Sequence, residues 1–174
     1  MSSFKDRVIQ SALLNVDIYE EIEADSGAFF QALTVILLSS VAAGFATVDQ
    51  VGIGGFFSGT IMALISWFVW AYLVYFVGVK LLPEEQTQGD PGQLLRTIGF
   101  ASSPGLIRVV GIIPGLGGII SFIASIWMLI AMVIAVRQAL DYKSTVRAIA
   151  VCLIGWLAQW LIFIIFYGIF GKPH

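Results

Sequence analysis

Five apolar runs, at residues 28–48, 55–82, 91–113, 119–136 and 146–170, alternate along this chain with short polar or glycine-rich segments. A helix needs roughly 20 mostly apolar residues to cross about 30 Å of hydrocarbon. In lipid, the backbone polar groups must be satisfied within the protein. The pattern therefore predicts an all-α fold: a polytopic integral membrane bundle of about five spans. The second run is longer than a bilayer needs and is expected to tilt or protrude. Residues 49–52 make a short turn, and Pro83 ends the second span. Residues 83–90 form the one long polar loop between spans. Asp90 followed by Pro91 reads as an N-cap and first helical residue. Pro114, Gly115, Gly117 and Gly118 make a tight turn, and Ser144 reads as the N-cap of the fifth span.

The third run is irregular. Ser102 and Ser103 precede Pro104, and Gly105 follows it. A proline inside a helix removes one hydrogen bond and disfavours helix at the residue before it. The segment is expected to be either two half-helices or one kinked helix. The break falls at Pro104 and Gly105 and the exit at Pro114, with the two serine hydroxyls serving the freed carbonyls.

Residues 1–27 differ from all that follows. On a helical wheel Phe4, Val8, Ile9, Ala12, Leu13 and Val16 share one face, and Asp6, Arg7, Gln10, Asp17 and Glu21 share the other. This predicts an amphipathic helix lying in the interface beside the bundle. The polar face is a candidate partner-docking surface, against the plainer role of a solvated cap packed on the bundle. Six of the eleven acids fall within residues 1–25, which makes attraction to anionic lipid a poor explanation for that face. The first 25 residues show no continuous apolar core of the signal-peptide kind, so the first span is expected to direct insertion.

Composition agrees with this reading: 59% of residues are hydrophobic and 11% charged, against about 25% charged in a typical soluble protein. A net charge of −2 with no basic cluster gives nucleic acid no footprint. Lys5, Arg7, Lys80, Arg96, Arg137, Lys143 and Arg147 all fall on the N-terminal side of a five-span topology, and only Lys172 falls on the other. By the positive-inside rule the N-terminus is expected in the cytoplasm and the C-terminus outside.

The inventory of chemical groups is short. The one histidine is His174, and no His, Cys or carboxylate cluster has metal-ligand spacing. The apolar runs carry no Asp or Glu, which argues against carboxylate-coupled pumping. No serine sits in a nucleophile-elbow pattern. Cys152 lies in an apolar run without a cationic neighbour, as a small buried hydrophobe does. No cofactor and no catalytic residue is expected. Arg108 is the exception, because an arginine at membrane depth costs from roughly 2.5 kcal/mol upward. It is expected to snorkel to the outer headgroups, to cap carbonyls freed at Pro104, or to contact an anion or lipid headgroup together with Ser102 and Ser103. Small residues four apart, such as Ser40 and Gly44 or Ala101 and Gly105, predict close helix approach. Trp67, Trp70, Trp156 and Trp160 are expected to pack between helices rather than form an interface belt.

Four stretches carry a family resemblance. Gly92-Gln93-Leu94-Leu95-Arg96-Thr97-Ile98-Gly99-Phe100-Ala101-Ser102-Ser103-Pro104 enters the third run. Pro114-Gly115-Leu116-Gly117 turns into a fourth span containing Ile126-Trp127-Met128-Leu129, and Ser144-Thr145-Val146-Arg147-Ala148 opens the fifth. In this order they resemble the Yip family of Ypt/Rab-interacting membrane proteins, in its prokaryotic form, over residues 28–170. The resemblance implies a five-span domain, followed by a tail at 171–174, and a membrane organiser rather than a catalyst. The eukaryotic relatives bind Rab-type GTPases and partner Yip proteins through a long cytosolic segment. Here that segment is about 27 residues, so a bacterial or archaeal plasma membrane is expected. The expected partners are membrane lipids and another membrane protein or a second copy. The leading expectation is a non-enzymatic scaffold, organiser or accessory subunit. The alternative is a transporter, channel or lipid-handling protein that uses the broken third span and Arg108.

Overall fold

The structure, a computed structural model, describes residues 2–45, 48–113 and 115–170. It is all-helical, with no strand among the described residues. Helices α1 (Phe4–Ala12) and α2 (Val16–Ala24) form an N-terminal hairpin. α3 (Ala28–Phe45) and α4 (Val48–Tyr75) follow, and α4 continues through a π-helical segment, Phe76–Leu81. α5 (Pro91–Phe100) leads into a 3₁₀ helix, Ser103–Ile112. α6 (Gly117–Ala139) and α7 (Thr145–Phe170) complete the chain.

Four segments are long and apolar enough to cross a membrane: Ala28–Phe45, Gly54–Leu81, Gly117–Ala139 and Thr145–Ile165. The fifth pass is broken. Gly89 lies against the Ala139 carbonyl and Gly117 against the Gly111 carbonyl, so α5 and the 3₁₀ helix together run the length of α6 in the opposite direction. The two-half-helix alternative is therefore the correct one. The α-helical bonding ends with Ala101 N–H donating to Thr97 O, and Ser102 N–H then donates to Gly99 O. Tight i+3 bonding from there on satisfies the backbone. Runs of 3₁₀ helix beyond three or four residues are uncommon, and this one holds ten. Pro104 sits in its first turn, where a missing N–H costs nothing. The serine hydroxyls do not take the role expected of them. Ser103 Oγ is buried without a hydrogen-bond partner among the described residues, while Ser102 N–H serves Gly99 O and Gly105 N–H serves Ser102 O. Pro114 lies outside the described residues.

Local signals explain the element starts. Ser3 Oγ accepts from Asp6 N–H at the head of α1. Asn15 Oδ1 accepts from Asp17 N–H at the head of α2. At α5 the Asp90 carboxylate accepts from Gly92 and Gln93 N–H while Gln93 Oε1 accepts from Asp90 N–H, a reciprocal capping box. Ser144 Oγ accepts from Arg147 N–H.

The single N-terminal amphipathic helix is corrected to two. Leu14 takes a left-handed conformation (φ 63°) and the chain folds back on itself there. Ile18, Tyr19 and Ile22 of α2 then pack on Ala28, Ala32 and Val35 of α3, on Phe100, and on Ala131 and Ala135 of α6. A second core joins Trp67, Trp70 and Val74 of α4 to Leu94, Ile98, Val136, Leu140 and Val151. Small residues set the helix spacing. A Cβ on Gly99 would stand 2.6 Å from Ala32 Cβ, and one on Gly105 would stand 2.1 Å from Ser39 Oγ.

Candidate functional site

Two regions gather the polar chemistry. The first is a cavity of about 970 Å³ inside the bundle, walled by α3, α4, α5, the 3₁₀ helix, α6 and α7. This is at the upper end of the range for small-molecule sites. Its walls are mainly apolar, with Ile36, Trp67, Trp70, Met128 and Met132 among them, and Ser39, Thr60, Ser66, Ser102, Arg108 and Gln159 supply polar points. Trp67 is fixed as a wall by its indole N–H, which donates to Leu95 O at 3.2 Å. Gln159 Nε2 donates to Ser66 O at 3.4 Å.

Arg108 is half-buried on the 3₁₀ helix. Its Nη2 donates to Ser125 Oγ at 3.1 Å, and that hydroxyl donates to Ser121 O at 2.8 Å. Ser125 lies eight residues into α6, about 12 Å along its axis. Capping of the carbonyls at Pro104 is not what the guanidinium does; Ser125 on the neighbouring helix takes its hydrogen bond. No carboxylate among the described residues forms an ion pair with Arg108. The structure therefore brings Arg108 and Ser102 to one cavity but leaves Ser103 turned into the packed core, 2% exposed.

The second region is the N-terminal hairpin with the loops beside it. Arg7, expected on the solvated face, is 1% exposed. Its guanidinium holds Glu21 Oε1 at 2.8 Å, Asp25 Oδ2 at 2.8 Å and Gln31 Oε1 at 3.0 Å. Hydrogen bonds from Arg7 and from Ser2 pull the Glu21 carboxyl down to about 2. Arg7 and Glu21 are thus consumed inside the hairpin, while Asp6 and Asp17 remain exposed and Gln10 half-exposed. Arg96, buried on α5, donates to the Ile22 and Glu23 carbonyls at the end of α2, where cations complement the helix dipole. Trp127 Nε1 donates to Ala12 O at 2.8 Å and Gln138 Nε2 to Glu20 Oε1 at 2.8 Å. Gln93 Nε2 donates to Glu23 Oε1. Burial, with Asp141 and Glu20 nearby, pushes the Glu23 carboxyl up to about 7.

The remaining arginines at this end are half-buried and bond to backbone carbonyls. Arg137 donates to Tyr142 O. Arg147 donates to Pro83 O and lies 3.7 Å from Glu84 Oε1. The exposed charges left here are Asp6, Asp17, Glu20, Glu85, Asp90 and Asp141 against Lys5, Lys80 and Lys143. The outward face is acidic although the segments carry most of the chain's arginines. Sequence reasoning missed Arg96 and Trp127 as anchors of the hairpin. Their partners are backbone carbonyls, which leave no mark in side-chain patterns.

A profile described as the Yip1 domain matches residues 15–168. The chain belongs to the Yip1 family. No curated protein and no solved structure matches it. The Yip1 match begins at Asn15, the N-cap of α2, so it takes in the helix that Arg96 anchors as well as the five passes. Among the described residues no group of His, Cys, Asp or Glu has the arrangement of a metal site.

Proposed function

We propose that this Yip1-family protein is a non-enzymatic membrane adaptor. Its acidic face, formed by the N-terminal hairpin and the 83–90 and 140–144 loops, docks a partner through a basic surface. The observation that carries this is the division of charge: Arg7 and Arg96 are buried and Arg137 and Arg147 donate to backbone carbonyls, while the exposed Asp6, Asp17, Glu20, Glu85, Asp90 and Asp141 outnumber the exposed Lys5, Lys80 and Lys143. A surface fixed in advance loses little freedom on binding, and side-chain bonds from Gln93, Arg96, Trp127 and Gln138 fasten α1 and α2 to the bundle. The exposed Ile9, Leu13 and Val16 at the hairpin corner suit a seat in the membrane interface. By the positive-inside rule this face looks into the cytoplasm of a prokaryotic plasma membrane.

The test is co-purification from native membranes in mild detergent with the double variant Asp17→Lys, Glu85→Lys alongside the parent. Neither side chain is tied into the bundle. The expected result is a stoichiometric partner with a basic contact surface that is retained at low salt. It is released as the Debye length falls towards 3 Å near 1 M salt, and is absent from the variant at unchanged melting temperature. A partner that stays bound to the charge-reversed variant overturns the reading.

A further inference from the structure

We propose that the intramembrane cavity is a binding site for one anionic membrane lipid, with its acidic head at Arg108 and an acyl chain along the wall of Trp67 and Trp70. The site is independent of the adaptor role and lies in another part of the molecule.

Three features of the cavity point to this occupant. The first is charge: Arg108 lines the cavity half-buried, and its one side-chain hydrogen bond among the described residues is to a neutral hydroxyl at an exposed position, Ser125 Oγ. No carboxylate among the described residues pairs with it. A guanidinium has five N–H donors in a planar fork suited to carboxylate or phosphate oxygens, so most of its donor capacity remains for a ligand. The second is the company it keeps. Ser39 and Ser102 line the same cavity, and hydroxyls can donate to acid oxygens that the guanidinium does not reach. The third is the shape of the remaining space. Away from Arg108 the walls turn to Ile36, Trp67, Trp70, Met132 and Val133, which offer an alkyl chain contact and offer an ion nothing. About 970 Å³ is far more than a small inorganic anion fills. A soluble anion would also have to cross hydrocarbon to arrive, whereas a lipid reaches the bundle from the bilayer in which it already resides.

The experiment uses the full chain reconstituted in phosphatidylcholine vesicles doped with a minor fraction of phosphatidylglycerol. The protein is extracted in mild detergent and its retained lipid is weighed by native mass spectrometry. The parent is expected to hold one phosphatidylglycerol per chain in preference to phosphatidylcholine. Arg108→Gln is expected to lower that occupancy about tenfold, the loss of a charge-assisted contact. Gly59→Phe supplies the second arm. Gly59 lines the cavity at an exposed position, and a Cβ there meets nothing within 4 Å, so a side chain can be introduced at the cavity wall without a clash at its root. It is expected to displace the lipid while the melting temperature holds. Equal retention of the two lipids by the parent overturns the proposal. So does undiminished phosphatidylglycerol on a folded Gly59→Phe protein, whatever becomes of the arginine variant.

Discussion

Arg7 shows how a charge can change meaning between the wheel and the fold. On a continuous helix it stands on the polar side beside Asp6 and Gln10. Once Leu14 reverses the chain, Glu21 and Asp25 return to face it and the group closes over. Replacing Arg7 with Met should destabilise the hairpin by about 2 kcal/mol. That is less than the cost of breaking a fully buried pair, because both carboxylates keep part of their surface in water. Faster amide exchange in α1, with α6 and α7 unchanged, is the measurement. The carboxyls at this end should also give opposite pH responses. Glu21 titrates near 2 in the fold against 4.5 when free, so its contribution is complete above about pH 4.5 and drains away as pH falls towards 2. Glu23 is raised to about 7 by burial and by Asp141 and Glu20. Its ionisation opposes folding above neutrality, and that penalty disappears as pH falls from 7 to 4.5. Thermal melts should therefore rise between pH 8 and pH 5.5 in the parent, and this part of the slope should be missing in Glu23→Gln. None of this was legible in the sequence, because each effect depends on residues brought together by the reversal. The one available signal was Asn15, a good N-cap placed two residues before Asp17, which marked a helix start inside what periodicity alone read as one helix.

At the scale of the element, the broken third pass was readable and its conformation was not. Pro104 announces a break, and α5 with its capping box follows directly from Asp90-Pro91-Gly92-Gln93. Ten residues of 3₁₀ helix have no sequence signature; they persist because α3 and α6 hold them at close range through Gly105 and the alanines of α6. The two glycines of this pass should differ in their tolerance of a methyl group. At Gly99 the neighbours are the Cβ, Cα and carbonyl oxygen of Ala32, none of which can move without shifting α3. At Gly105 they are Ser39 Oγ, Met128 Sδ and Arg108 Nη1, all side-chain atoms rather than backbone. Gly99→Ala should cost about 1–3 kcal/mol by overpacking, and Gly105→Ala clearly less. Melting temperatures of the two purified variants decide the order.

For the molecule as a whole, hydrophobic pattern and turn chemistry were enough to place the five passes and most of the loops between them, because length and polarity dictate both in lipid; residues 49–52, expected as a turn, are instead the opening residues of helix α4. The cavity was out of reach, since it lies between helices whose faces are apolar all round and whose rotations no periodicity fixes. With five passes the residues around 83–90 and those near Gly168 lie on opposite sides of the membrane. Single cysteines at Glu85 and Gly168, placed in a Cys152→Ala background, should be labelled by a membrane-impermeant reagent from opposite sides of sealed vesicles. Labelling of both from one side would remove the broken pass. The bond from Trp127 to Ala12 also has a bearing on time. It joins residues 115 apart, and at 5–20 residues per second the ribosome needs from about 6 to 23 s to supply the second after the first. For most of that interval α1 and α2 have neither α5 nor α6 to rest on. The nascent protein therefore inserts its first two spans with the hairpin unlatched, and newly made chains should offer Ile18, Tyr19 and Ile22 to chaperones or the insertion machinery before the final fold buries them against the bundle.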